Sequence, residues 1–240
     1  MKNNKKRVLL LGGSSDIGIE VAKIFLSQNW NVDLHFFKNK KNVSKLKYYS
    51  NKLKIIQIDF NNNNLNFEKN LKKKINNDYD AVVNLIGFVD NKSFEKTTLR
   101  DFLKSLKINT IFPLLIEKIL LKKMLVRKWG RILNCSSIGV KYGGGKNTFN
   151  YSFSKHALEF IPSDYKNWAK RNVLINNIRI GVTDTKIHKR IKHKNLKKRI
   201  NLIPMGRMAK SDEIAKFIFQ LASQKNTFIT GETLSIAGGE

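Results

Sequence analysis

Seven short apolar runs punctuate the chain, and between them apolar positions recur at helical spacing. The runs are RVLLLG, NVDLHFF, LKIIQID, DAVVNLI, GRILNCSS, VLINNIRI and TLSIA, starting at residues 7, 31, 53, 80, 130, 173 and 233. Their length and their Val, Ile and Leu content predict strands. Near-continuous apolar strands have both faces buried, as in a parallel sheet covered by helices on either side. The helical spacing predicts helices over 17–28, 43–50, 68–75, 98–127, 151–171, 195–202 and 211–222. Strand and helix alternate, so right-handed crossovers give an α/β fold with a doubly wound, mainly parallel, seven-stranded sheet. No repeat and no Pro/Gly/Ser-rich linker interrupts this order, and residues 1–240 read as one domain. The polar stretch FNNNNLNFEKN reads as a surface loop.

Composition adds limits to this picture. The chain carries 46 Lys and Arg against 18 Asp and Glu, a formal net charge of +28. Lysine is spread along the whole length beside Asn and Ile, which reads as solvated faces more than as a nucleic-acid footprint. The field still attracts anionic ligands. The single cysteine, Cys135, permits no internal disulfide and suits a reducing compartment. Only Val8 to Leu11 are apolar before Gly12, too few for a secretory signal. The run TIFPLLIEKILLKKML is interrupted by Glu117, Lys118 and Lys122, so no membrane span is expected and the protein reads as soluble and cytoplasmic. No cluster of His, Cys and acids has metal-ligand spacing, so no metal is expected.

The first strand runs into LLGGSSDIGIE, a glycine-rich turn opening a helix. In a Rossmann unit such glycines permit a tight turn, close approach of a pyrophosphate and close helix packing. Gly12 and Gly18 hold two of these positions, and Ser14, Ser15 and Ile17 offer donors at the helix N-terminus. Asp16 stands where a middle glycine is usual and is read as the helix N-cap, turned away from the phosphates. The second strand ends without the acid that would bind the ribose of NAD. Phe36 could flank an adenine, and Lys38, Lys40 and Lys41 could meet a 2′-phosphate, so NADP(H) is favoured over NAD(H).

Tyr151 and Lys155 in YSFSKHALEF are four apart and share one helix face. A phenol titrates near ~10. A neighbouring ammonium favours the phenolate and is expected to lower that value. Ser136 or Ser137, just after a strand, could hydrogen-bond a substrate oxygen.

With these residues in this order, the chain resembles the short-chain dehydrogenase/reductase family over nearly its whole length. LGGSSDIG resembles its phosphate loop, Asp59 and Phe60 in QIDF its adenine contact, and NLIG, with Asn84 and Gly87, its Asn-x-Ala-Gly motif. Asn109 resembles the Asn of the central helix, and GRILNCSSIG the serine strand, where Ser137 fits better than Ser136. IRIGVTDT, with Gly181, Thr183 and Thr185, resembles the segment covering the nicotinamide. The resemblance implies that Tyr151 exchanges a proton with the reacting oxygen and that Ser137 orients it. It further implies that Lys155 binds the nicotinamide ribose and that Asn109 holds a water linking Lys155 to solvent. It also implies a homotetramer or homodimer. The chain departs from the family's pattern at Leu11, Ile86, Ile180 and Ala237, and Ile86 is expected to crowd the cofactor side of the fourth strand.

The segment at about 186–203 reads as a substrate lid. It is densely basic, with Lys186, Lys189, Arg190, Lys192, Lys194, Lys197, Lys198 and Arg199, beside His188 and His193. It suits an anionic small-molecule substrate. Two enzyme readings compete. A sugar derivative of glycan or polysaccharide biosynthesis is preferred on the likeness of residues 136–160 and 178–189 to that subgroup. The alternative is a 3-oxoacyl-[acyl-carrier-protein] reductase, with Lys128 and Arg171 near positions used to dock the acidic carrier. A non-enzymatic, nucleic-acid-binding Rossmann protein is the remote third reading.

Overall fold

The computed structural model describes residues 5–38, 40–61, 67–186 and 195–240. All seven predicted strands form: β1 (Arg7–Leu11), β2 (Asn31–Phe36), β3 (Leu53–Gln57), β4 (Ala81–Asn84), β5 (Gly130–Ser137), β6 (Val173–Ile180) and β7 (Thr233–Ile236). They make one sheet in the order β3-β2-β1-β4-β5-β6-β7, with every pairing parallel. The sheet winds outward in both directions from β1. The C-terminal ends of β1 and β4 therefore flank the topological switch point, where open α/β sheets bind ligands.

Alternation along β1 divides the core. Val8 and Leu10 point into one cluster with Phe25, Leu26, Ile214 and Ile218. Leu9 and Leu11 point into the other with Ile116, Leu120 and Met124. Successive strand side chains face opposite ways, so one apolar run serves two helical layers. The first layer holds α1 (Asp16–Ser27) and α9 (Ser211–Ala222), and the second holds α5 (Phe112–Arg127).

Several helices differ from the expected spans. The region 43–50 holds α2 (Lys40–Val43) followed by 3-10 turns over Ser44–Lys52. The third helix, α3, covers Phe67–Lys74. The single helix expected over 98–127 is α4 (Leu99–Leu106) and α5, joined by a π turn at Lys107–Ile111. The helix expected over 151–171 breaks into α6 (Phe149–Leu158) and α7 (Tyr165–Ala169). Pro162 lies in the break; it has no N–H to donate and its ring clashes with the preceding helical turn. A short α8 (Leu196–Ile200) is capped by Asn195, whose side chain accepts from the Lys198 N–H at 2.9 Å. Among the described residues, no helix is long and apolar enough to cross a membrane.

Candidate active site

A cavity of about 1710 Å³ opens at the C-terminal ends of the strands. Its wall brings together Ser15, Ile17, Gly87, Ser137, Tyr151, Lys155, Gly181, Thr183 and Thr185, residues from five separate stretches of chain.

The floor is the turn between β1 and α1. Gly12 has φ +71°, and a Cβ there would meet the main chain of Leu85 and Ile86 at 3.0 Å. At Gly18 a Cβ would lie 2.5 Å from the Gly13 carbonyl oxygen, so α1 can approach the turn this closely only with glycine. The N-cap of α1 is Ser15, not Asp16: Ser15 Oγ accepts the Gly18 N–H at 3.1 Å. Asp16 is the first helical residue, and its carboxylate serves a different end. One oxygen accepts the Lys186 N–H at 2.8 Å, and the other is 3.4 Å from the Asn42 amide. Asn42 also donates to the Ser14 carbonyl at 3.1 Å. Asp16 thus joins the turn to the segment after β6.

Three residues gather at the other end of the cavity. Tyr151, on the first turn of α6, lies in hydrogen-bonding reach of the Ser137 hydroxyl. Ser137 Oγ accepts the Gly139 N–H at 3.2 Å. Ser136 is buried and turns toward the Lys155 carbonyl at 3.4 Å, so Ser137 is the serine that meets Tyr151. Lys155 is buried one turn further along α6, and its ammonium donates to the carbonyls of Ile86 (2.5 Å) and Cys135 (2.7 Å).

Burial governs the charges here. It pushes the Tyr151 phenol up to about 12, opposed by the Ser137 hydroxyl. It pushes Lys155 down to about 8. The expected lowering of Tyr151 by Lys155 is therefore not found. The Lys155 ammonium is spent on two main-chain carbonyls, and desolvation outweighs every other influence on the phenol. The Cys135 thiol, buried and pushed up to about 12, is held in its protonated, unreactive form.

Asn109 sits in the π turn, fully buried. Its side chain accepts the Phe88 N–H at 2.7 Å and donates to the Phe88 carbonyl and to Ser154 Oγ, both at 2.9 Å. Asn84 is likewise enclosed, bonded to Asn134 and to the Ile86 N–H at 3.1 Å each. Both side chains brace main chain around the cavity and do not line it. Ile86 borders the cavity, and its side chain also packs in the core cluster that holds Leu11 and Phe112. Gly181 is the one residue that fits its place, since a Cβ would lie 2.6 Å from the Ala237 Cα.

The predicted adenine end is only partly assembled. Phe36 is 6% exposed and belongs to the core with Val43 and Leu46, because it shares a strand face with Val32 and Leu34. It therefore has no face free for an adenine; the exposed aromatic is its neighbour Phe37. Phe60 is buried against Phe112. Asp59 is exposed and accepts the Asn61 N–H at 2.8 Å. Lys38, just after β2, and Lys41, on α2, are exposed, while the side chain of Lys40 lies outside the described residues.

In the lid, Lys198 and Arg199 border the cavity, and Arg199 pairs with Glu240. His188, Lys189, Arg190, Lys192, His193 and Lys194 lie outside the described residues. Lys128 and Arg171 are exposed just before β5 and β6, at the N-terminal ends of the strands and so at the opposite end of the sheet from the cavity.

One buried residue at this site was missed from sequence. His35 on β2 contacts the phosphate-loop turn through its ring: Nδ1 accepts the Gly12 N–H at 3.0 Å. Its signal was faint, a polar residue two positions after Asp33 in an otherwise apolar strand.

Comparison with known proteins bears on the same residues. The model of a family described as enoyl-(acyl carrier protein) reductase matches residues 12–240. The 3-oxoacyl-[acyl-carrier-protein] reductase FabG of Aquifex aeolicus is 34% identical over 161 residues, which is 67% of this chain and spans 64% of that protein. The protein of the same name from Buchnera aphidicola subsp. Schizaphis graminum is 28% identical over all of this chain and 98% of its own length. Among solved structures, ElxO with NADP bound has a TM-score of 0.80 and 28% identity, covering 98% of both chains.

Proposed function

Because the chain belongs to the short-chain dehydrogenase/reductase family, matched over residues 12–240, we propose that it reduces the 3-oxo group of an acyl thioester carried on an acyl carrier protein, using NADPH. The observation that carries the reaction class is the contact of Tyr151 and Ser137 beside buried Lys155, in one cavity with the glycine turn. The substrate class rests on relatives named 3-oxoacyl-[acyl-carrier-protein] reductase, one of them aligned along the full chain. The sugar derivative preferred from sequence has no counterpart among the relatives described above and gives way to this reading.

The residues present fit a dinucleotide. The cradle at Gly12 and Gly18 excludes any Cβ, and the α1 N-terminus points its N–H groups at the turn. Gly12, Ser14, Ser15, Ile17 and Gly18 would hold the pyrophosphate. Gly87, Gly181, Thr183 and Thr185 would enclose the nicotinamide end, with Asn84 bracing β4 behind it. Lys38 would meet the 2′-phosphate, in keeping with NADP in the ElxO structure, and Asp59 would reach the adenine. When bound, the nicotinamide supplies the hydride.

The protein's own part is position and proton supply. A phenol pushed up to about 12 is protonated at neutral pH, so Tyr151 is placed to donate its proton to the oxygen that gains charge. Ser137 steadies that same oxygen. Lys155 would exchange its carbonyl partners for the ribose hydroxyls, which brings its positive charge toward Tyr151. Asn109 holds the Phe88 main chain and the Ser154 side of α6 in register with these groups.

The test is NADPH oxidation with an acetoacetyl carrier-protein thioester, a keto-sugar phosphate and a nucleotide-linked keto-sugar. The thioester is expected to turn over fastest, and NADPH to bind at least about tenfold more tightly than NADH, a difference of ~1.4 kcal/mol. Tyr151→Phe should cut turnover by about 10³-fold with cofactor still bound. Preference for a keto-sugar, tighter binding of NADH, or near-native turnover by Tyr151→Phe would each contradict its part of the reading.

A further inference from the structure

His35 is 3% exposed and faces the second core layer, where its ring lies 4.7 Å from that of Phe60. Both ring nitrogens are committed. Nδ1 accepts from the Gly12 N–H, and Nε2 lies 3.0 Å from the Ile58 carbonyl oxygen. An amide nitrogen can only donate and a carbonyl can only accept, so the imidazole is neutral with its proton on Nε2. The His35 carbonyl also accepts the Gly13 N–H at 3.0 Å. One residue of β2 therefore holds the turn after β1 and the end of β3.

We propose that His35 is a positioning residue for the dinucleotide, holding the phosphate-binding turn at Gly12 and the approach to Asp59 in one fixed relation through its two ring nitrogens. This rests on the reading of the cavity as a dinucleotide site. Gly12 lies in the left-handed region, φ +71°, with its Cα against the main chain of Leu85 and Ile86. Its N–H has to be satisfied from the side of β2, and a buried donor without a partner is costly. Ile58 immediately precedes Asp59, so the second bond sets where β3 ends. An apolar side chain of equal volume would fill the space and leave both main-chain groups unpaired. The tautomer makes the role directional: an acceptor toward Gly12, a donor toward Ile58.

That direction permits a test that packing alone would not pass. Asn at this position offers an oxygen near the place of Nδ1, and Gln offers an N–H near the place of Nε2. Titration of the cofactor-free protein with NADPH, followed by nicotinamide fluorescence, gives the Kd. We expect His35→Asn to bind within about threefold of the native protein and His35→Gln to bind at least about tenfold more weakly. At saturating NADPH, kcat of His35→Gln should stay within about twofold of native, since no reacting group changes. In the native protein without cofactor, nitrogen–proton correlation of the His35 ring should show the Nε2–H tautomer. Equal Kd values for the two variants, or an Nδ1–H tautomer, would overturn the role. Should the native protein bind neither NADPH nor NADH, the dinucleotide reading itself falls, whatever the tautomer.

Discussion

Tyr151 and Lys155 show how far a spacing of four carries. It places both on one helix face, yet it does not say what each touches. In the folded chain the ammonium of Lys155 serves the Ile86 and Cys135 carbonyls, and burial sets both titrations. Lys155 is pushed down to about 8 from an ordinary 10.5. As pH rises through that value the lysine loses its proton, and with it the charge that would face the ribose and Tyr151. The kcat/KM of the enzyme should therefore fall on the alkaline side with an apparent pKa near 8. A profile flat to pH ~10, the range of an unperturbed lysine, would mean that the Lys155 charge has no part in the reaction. Ser137 and Ser136 make a similar point. Adjacent on an extended strand, they face opposite ways, and only the packing of α6 decides which one meets Tyr151.

Among elements, strands were the most legible. Each apolar run became a strand within a residue or two of its predicted ends, because burial on both faces leaves a dense apolar signature. Helices were less so. Periodicity over 98–127 did not reveal the π turn that carries Asn109, since a local change of hydrogen-bond step leaves the apolar stripe nearly intact. The break at Pro162 was visible in principle from the residue type. The first helix gives the sharpest correction. Ser15 caps α1, and Asp16 reaches across to Lys186 and Asn42. Ser15→Ala should destabilise the protein by about 1 kcal/mol through loss of the cap. Asp16→Ala should leave the cap in place and instead loosen the segment from Thr183 to Lys186, seen as faster amide exchange at Lys186. Calorimetry and hydrogen exchange on the two variants separate these effects. A larger stability loss in Asp16→Ala, with Lys186 exchange unchanged, would restore Asp16 as the cap.

At the scale of the molecule, the charge of +28 acts as a field more than as a set of contacts. Lys198 and Arg199 stand at the cavity, and Arg199 is partly offset by Glu240. An acidic carrier protein would be drawn by this field, and salt screens it with a Debye length of about 8 Å at physiological ionic strength. The kcat/KM for a carrier-protein thioester should thus drop more steeply between low and ~0.3 M salt than that for a small uncharged thioester. Equal slopes would show that the positive surface does not recruit the substrate. The sequence alone determined the order of strands and helices, the sheet class, the glycine turn, the Tyr and Lys of the candidate site and the pair of serines from which its third member comes. These depend on local periodicity and on residue types at short spacing. Tertiary structure decided that Phe36 belongs to the core, that Ser137 meets Tyr151, and that His35 holds Gly12. It also gave Asp16 a partner 170 residues away. Each of these depends on which groups burial brings face to face across the fold, where desolvation makes an unpartnered polar group costly.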